Sequence, residues 1–162
     1  MKTLSGGTVY ALSIHLVLVT KYRRKVINAA ILQRLKEIFT DTCQKWECSL
    51  KEFNGEADHV HMLIDITPKV QISAFVNNLK TISSRFIRQE FPDQCAKYFR
   101  KPVFWKIGYF VSSTGGASLE TVKRYIQQQD SPSVTEEIDK SETVPLPEGI
   151  PMQNWAAVNP AH

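Results

Sequence analysis

The sequence predicts one α+β domain of ferredoxin-like, or RRM-like, plan: a single antiparallel sheet with helices packed on one face, in the order β-α-β-β-α-β-α. Three observations lead there. Two stretches, 8–20 and 59–66, alternate apolar and polar residues with period two. Two longer ones, 27–46 and 71–90, carry apolar residues at helical spacing. The whole chain has 162 residues, the size of one domain.

Taken in order, residues 8–20 form the first strand, with Tyr10, Leu12, Ile14, Leu16 and Leu18 on one face. Ala11, Ser13, His15, Val17 and Val19 take the other. Lys21-Tyr22-Arg23-Arg24-Lys25 makes a basic connection. The helix at 27–46 aligns Ile31, Leu32, Leu35, Ile38, Phe39 and Cys43. A short strand at 49–53 follows, with Asn54-Gly55 as a turn signal. The strand at 59–66 closes on Thr67-Pro68. In the helix at 71–90, Ile72, Phe75, Val76, Leu79, Ile82 and Phe86 point inward, and Phe91-Pro92 stops it. An aromatic-rich strand is expected at 104–112. Gly115-Gly116 breaks it, and Ser118 is the expected N-cap of a last helix at 119–129. The domain is thus read as 1–129. The remainder, 130–162, holds Pro132, Pro145, Pro147, Pro151 and Pro160 with scattered acids, and reads as an extended tail anchored by Trp155.

Composition excludes several classes. No apolar run approaches the ~18 residues of a membrane span, and the stretch at 10–19 lacks a signal-peptide cleavage site. Three cysteines, Cys43, Cys48 and Cys95, without CxxC spacing, argue against a disulfide framework or zinc ribbon and point to a reducing, cytoplasmic setting. The net charge of +4 is unevenly placed: +9 over 1–129 and −5 over 130–162. A basic body suits a polyanion, nucleic acid first. The acidic tail is expected to dock on that body and compete with the nucleic acid.

Asp58-His59-Val60-His61 is the sharpest local feature. On a strand, residues i and i+2 share a face, so two imidazoles stand side by side and supply two corners of a divalent-metal site, or are two ordinary surface histidines. Glu56 and Asp58 flank them as turn residues or as partners orienting an imidazole. His15 reads as structural. Tyr125 and Gln129, four apart on a helix, stack a phenol above a carboxamide. Tyrosine can attack phosphorus, though a tyrosine beside Val122 and Ile126 is more often a packing residue. Basic clusters recur at Lys21, Arg23, Arg24 and Lys25; at Lys80, Arg85 and Arg88; at Lys97, Arg100, Lys101 and Lys106; and at Lys123 and Arg124. Tyr22, Tyr98, Phe99, Phe104 and Trp105 lie among them, a mixture suited to single-stranded nucleic acid.

Together these features resemble the single-tyrosine HUH transposases, the TnpA type of the insertion sequence 200/605 group. HUH denotes His-hydrophobic-His, here His59-Val60-His61. The likeness runs through His15-Leu16-Val17-Leu18-Val19-Thr20-Lys21-Tyr22-Arg23-Arg24-Lys25, Lys80-Thr81-Ile82-Ser83-Ser84-Arg85, Phe104-Trp105-Lys106-Ile107-Gly108-Tyr109-Phe110-Val111 and Val122-Lys123-Arg124-Tyr125-Ile126-Gln127-Gln128-Gln129. It spans about 8–129 and leaves the tail outside. It implies that His59, His61 and Gln129 bind Mg²⁺ or Mn²⁺, and that Tyr125 is the nucleophile. It further implies a homodimer that cleaves and rejoins single-stranded DNA beside hairpins through a 5′-phosphotyrosine link. Gly115-Gly116 becomes the joint that lets the tyrosine helix sit in cis or in trans. Lys21, Arg23, Arg24, Lys80, Arg85, Lys123 and Arg124 are the expected DNA contacts. The alternative is a non-catalytic, domesticated module binding hairpin DNA or RNA. A two-histidine cyclic phosphodiesterase would need two separated His-x-Ser/Thr motifs, which the sequence lacks.

Overall fold

The computed structural model describes residues 1–114 and 119–129, the side chains of 119–122 excepted. Gly115, Gly116, Ser118 and the whole of 130–162, Trp155 included, lie outside the described residues. A small hairpin, β1 (Lys2–Thr3) with β2 (Val9–Tyr10), precedes the main sheet. Then come β3 (Leu12–Val19), a 3-10 turn (Lys21–Arg23), α1 (Ala29–Lys45), β4 (Ser49–Gly55) and β5 (His59–Ile66). They are followed by α2 (Ile72–Glu90), α3 (Pro92–Ala96), β6 (Phe110–Ser113) and α4 (Leu119–Gln127). The sheet order is β4-β5-β3-β6, antiparallel throughout, which is the ferredoxin-like arrangement.

Alternation decides which face is which. Along β5, Val60, Met62, Ile64 and Ile66 are buried while His59, His61, Leu63 and Asp65 are half-exposed. The buried set joins Leu16 and Leu18 of β3, Ile31, Leu35 and Phe39 of α1, and Phe75, Val76 and Leu79 of α2 in one core. Each large side chain there stabilises the fold by about 1.5–3 kcal/mol through burial. Asn28 caps α1, its Oδ1 accepting from Ile31 N at 2.9 Å. All three cysteines are free and buried, and burial pushes the Cys43 thiol up to about 12.

The opposite face is only partly polar. Val17 pairs with His61 on one side and Phe110 on the other, so these three share a face. Phe110 is fully buried there because Tyr125 of α4 packs on it, ring centroids 5.5 Å apart. α4 thus covers the histidine face at the β6 side, opposite to α1 and α2.

Three expectations change. The first strand is split: residues 9–10 pair with β1, and Leu12 is exposed. Asn54-Gly55 is not the turn but the end of β4, opposite His61 and Val60; the turn is residues 56–58. Glycine belongs at position 55 for steric reasons, since a Cβ would stand 2.6 Å from Leu32 Cδ1 and 3.0 Å from both His59 O and Val60 Cγ1. The strand expected at 104–112 shortens to β6, because Gly108 turns the chain at φ 85. Ahead of it Trp105 makes an isolated bridge to Thr20. β4 also carries a residue with no counterpart on β5: Lys51 lies between the Leu50–Ile64 and Glu52–Leu63 pairs as a bulge.

Candidate active site

His59 and His61 stand side by side on β5, as period two requires, and open onto a cleft of about 420 Å³. Asn54 and Gly55 wall it from the end of β4, Glu56 from the turn that follows, Arg23 from the turn after β3, and Lys123, Ile126 and Gln127 from α4.

Each histidine has a fixed neighbour. Asp58, 6% exposed, accepts from His59 Nδ1 at 2.8 Å through Oδ1 and from Arg23 Nε at 2.7 Å through Oδ2. Burial pushes the Asp58 carboxyl up, but the hydrogen bonds and charges of His59 and Arg23 outweigh it and hold the group below its usual range. With Asp58 ionised, the hydrogen-bond network assigns a proton of His59 to Nδ1, leaving Nε2 as the ring nitrogen that Asp58 does not engage. His61 Nε2 lies 3.0 Å from His15 Nδ1, the rings tilted by 35°. Burial first, then the charges of His15 and His59, lower the His61 pKa, against a smaller raising effect of Glu52. His61 is therefore held neutral, as a metal-ligating imidazole must be.

Arg23 reaches Asp58 from a left-handed backbone. Tyr22 and Arg23 have φ values of 55° and 53°, a conformation costing non-glycine residues of order 1–3 kcal/mol each. The surroundings impose it: Thr20 N donates to Asp58 O at 2.9 Å, Thr20 Oγ1 to Arg24 O at 2.6 Å, and Lys21 N to Phe104 O at 2.9 Å.

The donor set fits a divalent cation in chemistry. His59 and His61 both line one open cleft, and ligand atoms of Glu56, Asp58 and His59 all lie within 4.8 Å of one another, while His61 stands outside that group with its Nε2 against His15 Nδ1. The helix residues are arranged differently. Tyr125 is 1% exposed against Phe110, and Gln129 is fully buried, its Nε2 donating to the Tyr125 carbonyl at 3.5 Å. Tyr125 rides on α4, which borders the cleft, while the helix expected to run to 129 ends at Gln127 and Gln129 lies in the turn after it. Neither lines the cleft, whereas Gln127, Ile126 and Lys123 do.

The expected DNA contacts divide. Arg23 and Lys123 line the histidine cleft, and Lys21 and Arg24 line an adjoining groove. Lys80 donates to the carbonyls of Lys106 and Gly108, at 2.7 and 3.2 Å, and so anchors the segment before β6. Arg85 lies over Phe86 on α2, across the sheet from the cleft, and Arg124 is half-buried on α4. Sequence reasoning missed Asn54 and Gln127 as cleft residues and the Arg23–Asp58 pair. Asp58 was signalled by adjacency to His59; Arg23, 35 residues away, was not.

Comparison with known proteins points to one family. Residues 8–129 match the family described as "Transposase IS200 like". The chain is 34% identical over 115 residues to the transposase of insertion sequence element IS200 from Salmonella typhimurium, covering 71% of this chain and 74% of that one. It is 28% identical over 123 residues to the ISDra2 transposase TnpA of Deinococcus radiodurans, covering 76% and 87%. A crystal structure of a candidate transposase from Deinococcus radiodurans R1 superposes with a TM-score of 0.70 at 30% identity, covering 81% of this chain and 99% of that one.

Proposed function

Because the chain belongs to the IS200-like transposase family, we propose that it cleaves and rejoins single-stranded DNA at hairpin-flanked element ends, with Tyr125 as nucleophile. The observation that carries the reading is the pair of oriented imidazoles, His59 and His61, side by side on a cleft bordered by the tyrosine helix. His59 and His61 are the proposed holders of Mg²⁺ or Mn²⁺, joined by Gln129 once its buried side chain turns toward the cleft, and the ion would polarise the scissile phosphate when bound.

The chain's own residues supply the rest. Asp58 fixes the proton of His59 on Nδ1, and Arg23 holds Asp58. Lys123 and Arg23 place positive charge where the phosphodiester enters. The Tyr125 hydroxyl attacks phosphorus; a phenolic O–P bond forms and the P–O3′ bond breaks. The departing 3′ oxygen takes up a proton, and the 5′ side stays on tyrosine until another 3′-OH reverses the exchange.

Tyr125, buried against Phe110, must leave that packing to act, so α4 shifts, within one subunit or toward a homodimer partner. Gln128 Oε1, just past α4, is buried without a hydrogen-bond partner among the described residues, a cost of about 1–3 kcal/mol to this placement of the chain. The buried tyrosine also favours a second reading, a hairpin-binding module without catalysis. Incubation with single-stranded DNA from the element's ends separates the two. The proposal expects a covalent adduct that EDTA abolishes, Mn²⁺ restores and Tyr125→Phe eliminates without loss of hairpin binding. An adduct persisting in Tyr125→Phe removes the nucleophile assignment, and no adduct in the unmodified protein with metal leaves the binding module.

A further inference from the structure

Beside the histidine cleft lies a second groove, of about 460 Å³, with a different character. Lys21, Tyr22, Arg24, Tyr98, Arg100 and Lys101 line it, and no acidic residue does. Arg24, Arg100 and Lys101 are exposed, and Tyr98 is 37% exposed despite its aromatic ring. Lys21 Nζ and Arg24 Cζ lie 5.2 and 5.8 Å from the Tyr22 ring centroid, so cations and rings are interleaved rather than segregated. The far wall is rigid: Tyr98 and Phe99 donate backbone hydrogen bonds to Cys95 O at 3.1 and 2.9 Å, and Phe99 packs on Phe104. The two clefts share the turn after β3. Its left-handed residues send Arg23 to the histidines and Tyr22 to the groove.

We propose that this groove is a single-stranded DNA subsite that holds the nucleotides adjoining the cleaved phosphodiester, with bases stacked on Tyr98 and Tyr22 and phosphates on Arg24, Arg100 and Lys101. The inference rests on the DNA-cleaving reading above and adds the place where the unpaired strand runs. Cations alone would suit any polyanion. Exposed rings among them select one with flat, unstacked bases, and the shared turn places those bases beside the reacting phosphate. Stacking tolerates every base, so the groove grips the strand without choosing its sequence.

The test uses the full chain, a hairpin oligonucleotide, and the same hairpin carrying a ten-nucleotide single-stranded extension with one 2-aminopurine, followed by anisotropy and fluorescence. The extension should tighten binding by roughly tenfold or more and quench the 2-aminopurine. In the exposed-residue variant Tyr98→Ala/Arg100→Gln/Lys101→Gln, the gain and the quenching should vanish while hairpin binding and melting temperature stay unchanged. The salt slope for the extended DNA should fall by about 1.4, from two lost single-strand phosphate contacts. A variant that keeps the gain and the quenching overturns the subsite. So does an unmodified protein that forms the adduct but gains nothing from the extension, or one that binds an RNA extension more tightly. A protein that forms no adduct but gains from the extension keeps the groove and overturns the catalytic reading instead.

Discussion

Replacing Asp58 with Asn changes one atom type in a buried carboxylate whose two oxygens both accept: Oδ1 from His59 Nδ1 at 2.8 Å and Oδ2 from Arg23 Nε at 2.7 Å. Asparagine keeps one acceptor and turns the other position into a donor, so its NH₂ meets either the Arg23 Nε–H or the His59 Nδ1–H, and only the histidine can answer by moving its proton. A hydrogen bond to a charged group contributes about 1.5–3 kcal/mol. Arg23 is 25% exposed and partly solvated, so a loss of about 1–2 kcal/mol in unfolding free energy is expected. If the amide turns its NH₂ toward His59, the imidazole proton moves from Nδ1 to Nε2, and Mn²⁺ affinity should fall about 10–100-fold. Denaturant titration measures the first and calorimetric Mn²⁺ titration the second. The folded Asp58 pKa is depressed, so its contribution is complete above the unfolded value of about 3.9 and is lost as pH falls through the folded one. The gap between the two proteins should therefore close in acid. Unchanged stability and unchanged Mn²⁺ affinity at neutral pH would refute the orienting role.

Further outcomes follow from other residues. Gly55→Ala should lower unfolding free energy by about 1–3 kcal/mol, since Leu32 can swing aside but the His59 carbonyl cannot; a neutral effect in thermal denaturation contradicts the steric reading. His61 is held below its unfolded pKa of about 6.5, so in EDTA its share of stability is full above that pH and drains away as pH drops below it. His61→Gln should flatten the pH dependence of stability below about 6.5, and an unchanged profile excludes His61 as its source. Deleting residues 131–162 removes negative charge from the chain and should tighten single-strand binding at low salt; equal affinity by anisotropy rejects competition by the tail.

What could be read from the chain follows from the range of the forces involved. His59 and His61 were legible because strand geometry is local: period two puts them on one face whatever surrounds them. The helices were legible because Leu35, Phe39, Phe75 and Leu79 repeat at helical spacing and are all fully buried. The face chosen by α4 was not, since Val122, Tyr125 and Ile126 give an apolar stripe without saying what it meets; the partner is Phe110. Arg23 was assigned to DNA, yet its guanidinium reaches Asp58 because a turn forced into left-handed φ aims it there. Aromatic density at 104–109 suggested a strand, whereas Gly108 and the Trp105–Thr20 bridge make it a strap across the sheet end.

The Lys51 bulge bears on how this sequence tolerates changes in length. β4 already absorbs an unmatched residue, so a one-residue insertion or deletion near position 51 has a place to be taken up before the pairing at Asn54 and Gly55 is disturbed. β5 has no such slack. Removing Val60, or adding one residue between His59 and His61, would turn one imidazole into the core and bring an apolar side chain to the cleft. Relatives sharing this site should therefore vary in length along β4 and keep the spacing of the two histidines fixed.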